Sequence, residues 1–154
     1  MQNLLHQLKY KGKKEIGLYF GRRMGEAFAA SERHKEIDAL VPLPLFFKRE
    51  RKRGYNQAAV ICEGISEVTG LPVLNNVITR LKNTATQTHR NRAERWENIE
   101  EKFELINKEE IEGKHVLLVD DVLTTGATLE ACGSELLKAS GLKLSIATLA
   151  YTSL

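Results

Sequence analysis

The chain has 154 residues and 17.4 kDa, with about 42% hydrophobic and 28% charged residues. That balance fits one ordinary globular domain and excludes a disordered tail, a collagen-like fibre and a polytopic membrane protein. Lys and Arg number 23 against 20 Asp and Glu, a net charge of +3, too small a surplus to announce a nucleic-acid binder by itself.

No charge-free stretch reaches the roughly 20 residues a membrane-spanning helix requires. No apolar run with a small-residue cleavage site follows Met1, so no secretion signal and no membrane insertion are predicted. Cys62 and Cys132 are the two cysteines. They lie in unrelated segments with no Cys-x-x-Cys pairing, which predicts buried thiols in a reducing cytoplasm rather than a disulfide framework.

In chain order, residues 13–30 place Ile16, Phe20, Met24, Ala27 and Phe28 at helical spacing, which predicts an amphipathic helix with these five turned inward. The apolar run 37–45 is interrupted by Pro42 and Pro44. Proline cannot donate to a ladder, so a strand ending near Val41 and then an extended loop are predicted. The loop holds five basic residues, Lys48, Arg49, Arg51, Lys52 and Arg53, with Glu50 among them. Residues 55–69 predict a helix with Ala58, Ala59, Cys62, Ile65 and Val68 inward, stopped by Gly70.

Residues 71–81 read as one strand or two, broken at Asn75-Asn76. The stretch 82–98 is polar, basic and nearly without aliphatic residues, the composition of a mobile loop with a short helix near Arg92 to Trp96. Residues 103–106 are weakly strand-like, and Gly113-Lys114 marks a turn. A buried strand over 115–119, an amphipathic helix over 128–139 and a strand over 142–151 follow. Strands alternating with helices at these lengths predict an α/β fold, a parallel sheet covered on both faces.

Ligands of such sheets sit beyond the carboxyl ends of the strands, which directs attention to Val116-Leu-Leu-Val-Asp-Asp-Val-Leu-Thr-Thr-Gly-Ala-Thr-Leu129. Four aliphatic residues precede two adjacent carboxylates, Asp120 and Asp121. A short loop with Thr124, Thr125, Gly126, Ala127 and Thr128 then opens into a helix. Helix N-termini offer N–H groups and partial positive charge to a phosphate, and Gly126 permits positive φ or close backbone approach. The carboxylates accept hydrogen bonds only and match a vicinal diol. Diol and phosphate together describe ribose 5-phosphate. An Asp helix cap alone would need one carboxylate or hydroxyl, not this ordered set. The Gly-x-x-x-x-Gly-Lys loop of nucleotide triphosphatases and the Gly-x-Gly-x-x-Gly of dinucleotide folds are both absent from the sequence.

This segment resembles the thirteen-residue motif that binds 5-phosphoribosyl 1-diphosphate (PRPP) in type I phosphoribosyltransferases. Val41-Pro-Leu-Pro, Lys48-Arg-Glu-Arg-Lys-Arg-Gly-Tyr-Asn-Gln57, and the set Arg80, Gln87, Thr88, Arg92, Arg95 and Asn98 narrow the resemblance to the competence-associated ComF/GntX branch. It covers about residues 8–151, a single domain over 1–154, and omits the zinc ribbon of paired cysteines that members commonly carry in front.

The resemblance implies a type I fold: a central, mostly parallel sheet, helices on both faces and a flexible hood at 82–98. It implies PRPP with Mg²⁺ as substrate and cofactor, a small-molecule acceptor, diphosphate as leaving group and a transition state of oxocarbenium character. Asp120 and Asp121 would take the ribose hydroxyls, and Thr124 to Thr128 the 5-phosphate. Lys48, Arg49, Arg51, Lys52 and Arg53 would take the diphosphate, with Gln87, Arg92 and Arg95 in the hood. His89 reads as a solvated loop histidine and His115 as structural; Trp96 suits a packing anchor as well as a base-stacking platform. Few protein ligands to the metal are expected. Many members dimerise, so a homodimer is carried as an expectation. A second reading uses the same basic loops to bind single-stranded DNA, with little or no transferase activity; few aromatics stand ready there to stack bases.

Overall fold

The computed structural model describes residues 14–46, 50–52, 54–81 and 102–151. Helix α1 spans Lys14–Ala29 and leads through a 3₁₀ turn, Glu32–Glu36, to strand β1, Ala39–Pro42. Helix α2 is Gln57–Thr69, followed by strands β2, Ile78–Leu81, and β3, Lys102–Leu105. Strand β4, His115–Leu123, helix α3, Ala127–Leu136, and strand β5, Lys143–Tyr151, complete the order.

The sheet runs β1-β4-β5, all parallel, with Ala39 beside Val116 and Pro42 beside Val119, and with His115 beside Lys143. A single bridge, Leu40 with Val73, adds a short parallel segment on the far side of β1. The period-2 alternation of strand side chains divides the core into two layers. Ala39, Val41, Val116 and Leu118 face Leu129, Cys132 and Leu136 of α3. Leu40, Leu117 and Val119 face Ile61, Cys62 and Ile65 of α2, with Ile16, Met24 and Phe28 of α1 behind them. The first layer is closed by more than a helix: β2 and β3 form an antiparallel hairpin that adds Ile78 and Phe103.

Among the described residues the predicted helices and strands are present, with ends shifted by a few residues, while the short helix expected near Arg92 to Trp96 lies outside them. Strand β1 stops at Pro42, as the prolines require, and Gly70 closes α2 at φ 73° in the left-handed region. Among the described residues no helix is long and apolar enough to cross a membrane. Two inward faces need correction. On α1, Gly17, Gly21 and Gly25 are the buried residues, while Ala27 is exposed and Ile16, Phe20, Met24 and Phe28 are only half-buried. On α2, Val68 is exposed, although a Cβ on Gly25 of α1 would stand 3.0 Å from its Cβ.

The glycines explain how closely the helices approach. A Cβ on Gly21 would stand 2.3 Å from the Ile61 carbonyl oxygen, and one on Gly64 would stand 2.5 Å from the Leu18 carbonyl oxygen. Backbone therefore meets backbone, as small residues at fourfold spacing allow. Gly133 on α3 differs: its added Cβ would meet only the end of the Leu144 side chain at 3.0 Å.

Gly64→Ala is expected to cost about 1–3 kcal/mol, because the helices must separate. Gly133→Ala is expected to stay within about 1 kcal/mol of wild type, since Leu144 yields and helix propensity improves. Thermal melts of the two variants check this, with equal midpoints counting against the close crossing.

Both cysteines are unpaired and buried. Burial is the main cause that raises the Cys62 thiol, and it pushes Cys132 up to about 12, with Arg80 opposing and Asp120 and Glu135 reinforcing the rise. Neither thiol is expected to react with an aromatic disulfide reagent at pH 8 until the protein is denatured. In the unfolded chain the thiols ionise near their ordinary value of 9.0, so their contribution to stability is complete below that pH. It falls as pH rises toward about 12, and denaturant melts from pH 8 to 11 should lose stability less steeply in Cys132→Ala.

Candidate functional site

The chain leaves β1 by way of α2 on one face of the sheet and leaves β4 by way of α3 on the other. After β1 it turns to the Val73 side, whereas β4 and β5 lie on the opposite side of β1. The carboxyl ends of β1 and β4 are therefore a topological switch point, where two loops diverge and leave a crevice.

Side chains hold this crevice open. Leu43 N–H donates to the Val119 carbonyl at 2.9 Å, the last bond between the two strands. A continued parallel ladder would next join Asp121 N–H to the Leu43 carbonyl. Instead, Asp121 N–H donates to Oδ1 of Asp120 at 2.8 Å, and the Leu43 carbonyl accepts from Nδ2 of Asn56 at 3.0 Å. Two polar side chains thus terminate the rung from its two sides, and β4 continues to Leu123 paired with β5 alone.

Asp120 and Asp121 are half-buried at this point. The loop beyond them ends at Gly126, whose φ of 84° lies in the left-handed region and turns the chain into α3. Thr125 Oγ1 accepts weakly from Ala127 N–H at 3.4 Å. Thr124, Thr125 and Ala127 are exposed, and Gly126 and Thr128 half-buried. Residues 120–128 thus bring the carboxylates, the hydroxyls and a helix N-terminus to one end of β4. The first-turn amides suit an anion, and the carboxylates suit hydroxyl donors.

The loop after β1 borders the other side. Asn56 anchors both its ends: Nδ2 reaches Leu43, while Oδ1 accepts from Ala58 N–H at 3.0 Å and caps α2. Glu50 N–H donates to the Phe46 carbonyl, and Gly54 N–H to that of Glu50; Arg51 and Lys52, between these two bonds, are both exposed. Lys48, Arg49 and Arg53 lie outside the described residues, as do Gln87, His89, Arg92, Arg95 and Trp96 of the expected hood. Strands β2 and β3 stand at the two ends of that stretch. His115 is structural, its Nε2 within hydrogen-bond distance of Ser145 Oγ at 2.9 Å and its N–H donating to Asp38.

A cavity of about 480 Å³ opens against this loop, lined among others by Pro44, Leu45, Tyr55, Asn56, Asn75 and Arg80. A more apolar hollow of about 570 Å³, touching Phe28, Ile37, His115 and Ser145, lies at the amino ends of the strands. Size does not select the site here, because polar chemistry gathers at the carboxyl ends. Asn56 as a helix cap was passed over in the sequence, though an Asn just ahead of the apolar run that starts at Ala58 is such a signal. Nothing local announced the roles of Phe46 and Arg80, whose rings and charge meet only in three dimensions.

The α/β sheet thus carries, at its switch point, a carboxylate pair followed by a hydroxyl-bearing loop and a helix N-terminus. The model of the family described as phosphoribosyl transferase domain matches residues 44–153, and the chain belongs to that family. It is 33% identical over 144 residues to Competence protein F of Haemophilus influenzae, covering 91% of this chain and 62% of that protein. It is 30% identical over 138 residues to the DNA utilization protein YhgH of Escherichia coli K12, covering 88% and 60%. With Competence protein ComFC of Bacillus subtilis it shares 32% over 129 residues, covering 84% and 50%. The chain spans between half and about three fifths of the length of these relatives.

Among solved structures, the glutamine PRPP amidotransferase of B. subtilis superimposes with a TM-score of 0.57 at 18% identity, over 87% of this chain and 26% of that one. The purine phosphoribosyltransferase of Pyrococcus horikoshii gives 0.55 at 20%, over 88% and 78%. The fold is that of the type I phosphoribosyltransferases.

Asn56→Ala removes both the cap and the partner of the Leu43 carbonyl. A loss of about 1–2 kcal/mol is expected in a denaturant melt, and Asn56→Asp, which keeps the cap acceptor, should recover part of it.

Proposed function

We propose that the crevice between β1 and β4 binds PRPP and supports transfer of its phosphoribosyl group to a small-molecule acceptor, with release of diphosphate. The observation that carries this reading is the order of groups along residues 120–128: two half-buried carboxylates, then hydroxyls, then a positive-φ glycine at the start of α3. Asp120 and Asp121 would accept from the ribose 2′- and 3′-hydroxyls, and Thr124 to Thr128 would cradle the 5-phosphate. Arg51 and Lys52, with Lys48, Arg49 and Arg53, would take the diphosphate across the crevice.

Negative charge gathers on the diphosphate as its bond to the ribose C1 breaks, so cations fixed on the β1 loop act most strongly when the barrier is highest. The acidic pair favours positive charge on the sugar in the same step. Asp120 and Asp121 are hard oxygen donors that fit Mg²⁺ keeping waters and substrate oxygens in most of its sphere. When bound, the ion supplies charge neutralisation at the phosphates. The two buried, unpaired thiols suit a cytoplasmic setting, and a homodimer remains the expectation from the family.

A second reading is favoured by the relatives' names, which refer to competence and DNA utilization. In it the basic loops bind single-stranded DNA, and affinity falls steeply with salt.

The double variant Asp120→Asn, Asp121→Asn is expected to fold and to lose most PRPP affinity, since each hydrogen bond to a charged group contributes about 1.5–3 kcal/mol. The check is a thermal melt with PRPP and Mg²⁺, run beside a short oligonucleotide. Ligand at about 100 times its Kd adds roughly 2.7 kcal/mol, a shift of a few degrees. A PRPP shift absent from the variant supports the transferase reading. A salt-sensitive shift with the oligonucleotide alone supports the second.

A further inference from the structure

Arg80 and Phe103 stand opposite one another on β2 and β3. The Arg80 guanidinium lies 4.1 Å from the centre of the Phe46 ring and 5.5 Å from that of Phe103. Phe103 is buried, Phe46 and Arg80 are half-buried, and the Arg80 Nε is closed off from solvent. A cation over aromatic faces is attracted by their quadrupoles, and more strongly where water is excluded. Guanidinium suits this better than ammonium, because its plane stacks on a ring.

The contact joins two segments far apart in sequence: the hairpin on the α3 face and the loop that leaves β1. Phe46 is not an ordinary member of that loop. Its carbonyl accepts from Glu50 N–H at 2.9 Å, next to Arg51 and Lys52. The placement of Phe46 therefore bears on that of the Glu50 amide. Arg80 also lowers the Cys132 thiol while Asp120 raises it, which puts the guanidinium and the acidic end of the site within electrostatic range of one side chain.

We propose that Arg80 is a positioning residue for diphosphate: by holding Phe46 it fixes the backbone of Leu45 and Phe46, and with the Phe46 carbonyl the Glu50 amide beside Arg51 and Lys52. The inference rests on the PRPP reading above and deepens it. Arg80 acts through the ring, so the planarity of its guanidinium matters as well as its charge, and it serves the diphosphate end of the ligand without serving the ribose 5-phosphate end.

The test is titration calorimetry with Mg²⁺ and three separate probes, PRPP, inorganic diphosphate and ribose 5-phosphate. Wild type is compared with Arg80→Lys, Phe46→Leu, Phe46→Tyr and the double variant Arg80→Lys, Phe46→Leu. Arg80→Lys and Phe46→Leu are each expected to weaken PRPP and diphosphate by about tenfold while ribose 5-phosphate stays within about twofold. Phe46→Tyr keeps the ring and should bind like wild type. The double variant should be no weaker than the single ones, because both remove one interaction. Phe46→Leu carries the test should Arg80→Lys fail to fold.

Diphosphate binding unchanged in both single variants overturns the inference, as does equal weakening of all three probes or additive losses in the double variant. In those cases PRPP binding by wild type leaves the proposed function standing. A wild-type protein that binds neither PRPP nor diphosphate overturns both.

Discussion

The arrangement of the site depends on the parallel pairing of β1 with β4 and on their chains leaving toward opposite faces. Four register pairs, Ala39 with Val116 through Pro42 with Val119, bring two loops side by side that are far apart in sequence. Proline ends one strand, and its neighbour runs on. At the first rung where pairing fails, Asn56 and Asp120 satisfy the backbone groups that would otherwise close it. The crevice is thus a gap in a ladder, kept open at little cost because neither polar group is left without a partner.

Packing on the two faces fixes the loops from below. On one face the glycine stripe of α1 lets α2 be clamped at backbone distance, which settles where α2 begins and so where Asn56 stands. On the other, α3 is held by Leu129, Cys132 and Leu136, which settles where its N-terminus points. The hairpin seals the same face and brings Arg80 under the β1 loop. Each candidate segment is therefore the end of an element whose other residues are committed to the core, the usual division between rigid scaffold and functional loop.

Much of this was legible in the chain. Val116 to Val119 announced a strand buried on both faces, Pro42 and Pro44 announced where β1 stops, and Gly70 and Gly126 announced their left-handed turns, because each effect is local. The residues at 120–128 were legible for a similar reason: one short segment carries carboxylates, hydroxyls and helix start in order. The inward face of α1 was read only in part: Ile16, Met24 and Phe28 pack against the core, but hydrophobic periodicity rewards large side chains and passes over Gly17, Gly21 and Gly25, the buried residues of the helix. The stacking of Arg80 on Phe46 was hidden for another reason. It joins a strand to a distant loop, and neither residue carries any mark of the other in its own neighbourhood.

The adjacent carboxylates look interchangeable on paper and are not so in the fold. One oxygen of Asp120 is already committed to the Asp121 amide, so this residue is partly scaffold. An amide side chain at 120 would preserve that internal acceptor while discarding the charge; a hydrocarbon there would release the strand end as well. Scaffold and charge are therefore separable at 120 by choice of substituent. A relative with Asn at this position could keep the shape of the pocket after giving up its electrostatics, a silent receptor in the outline of an enzyme.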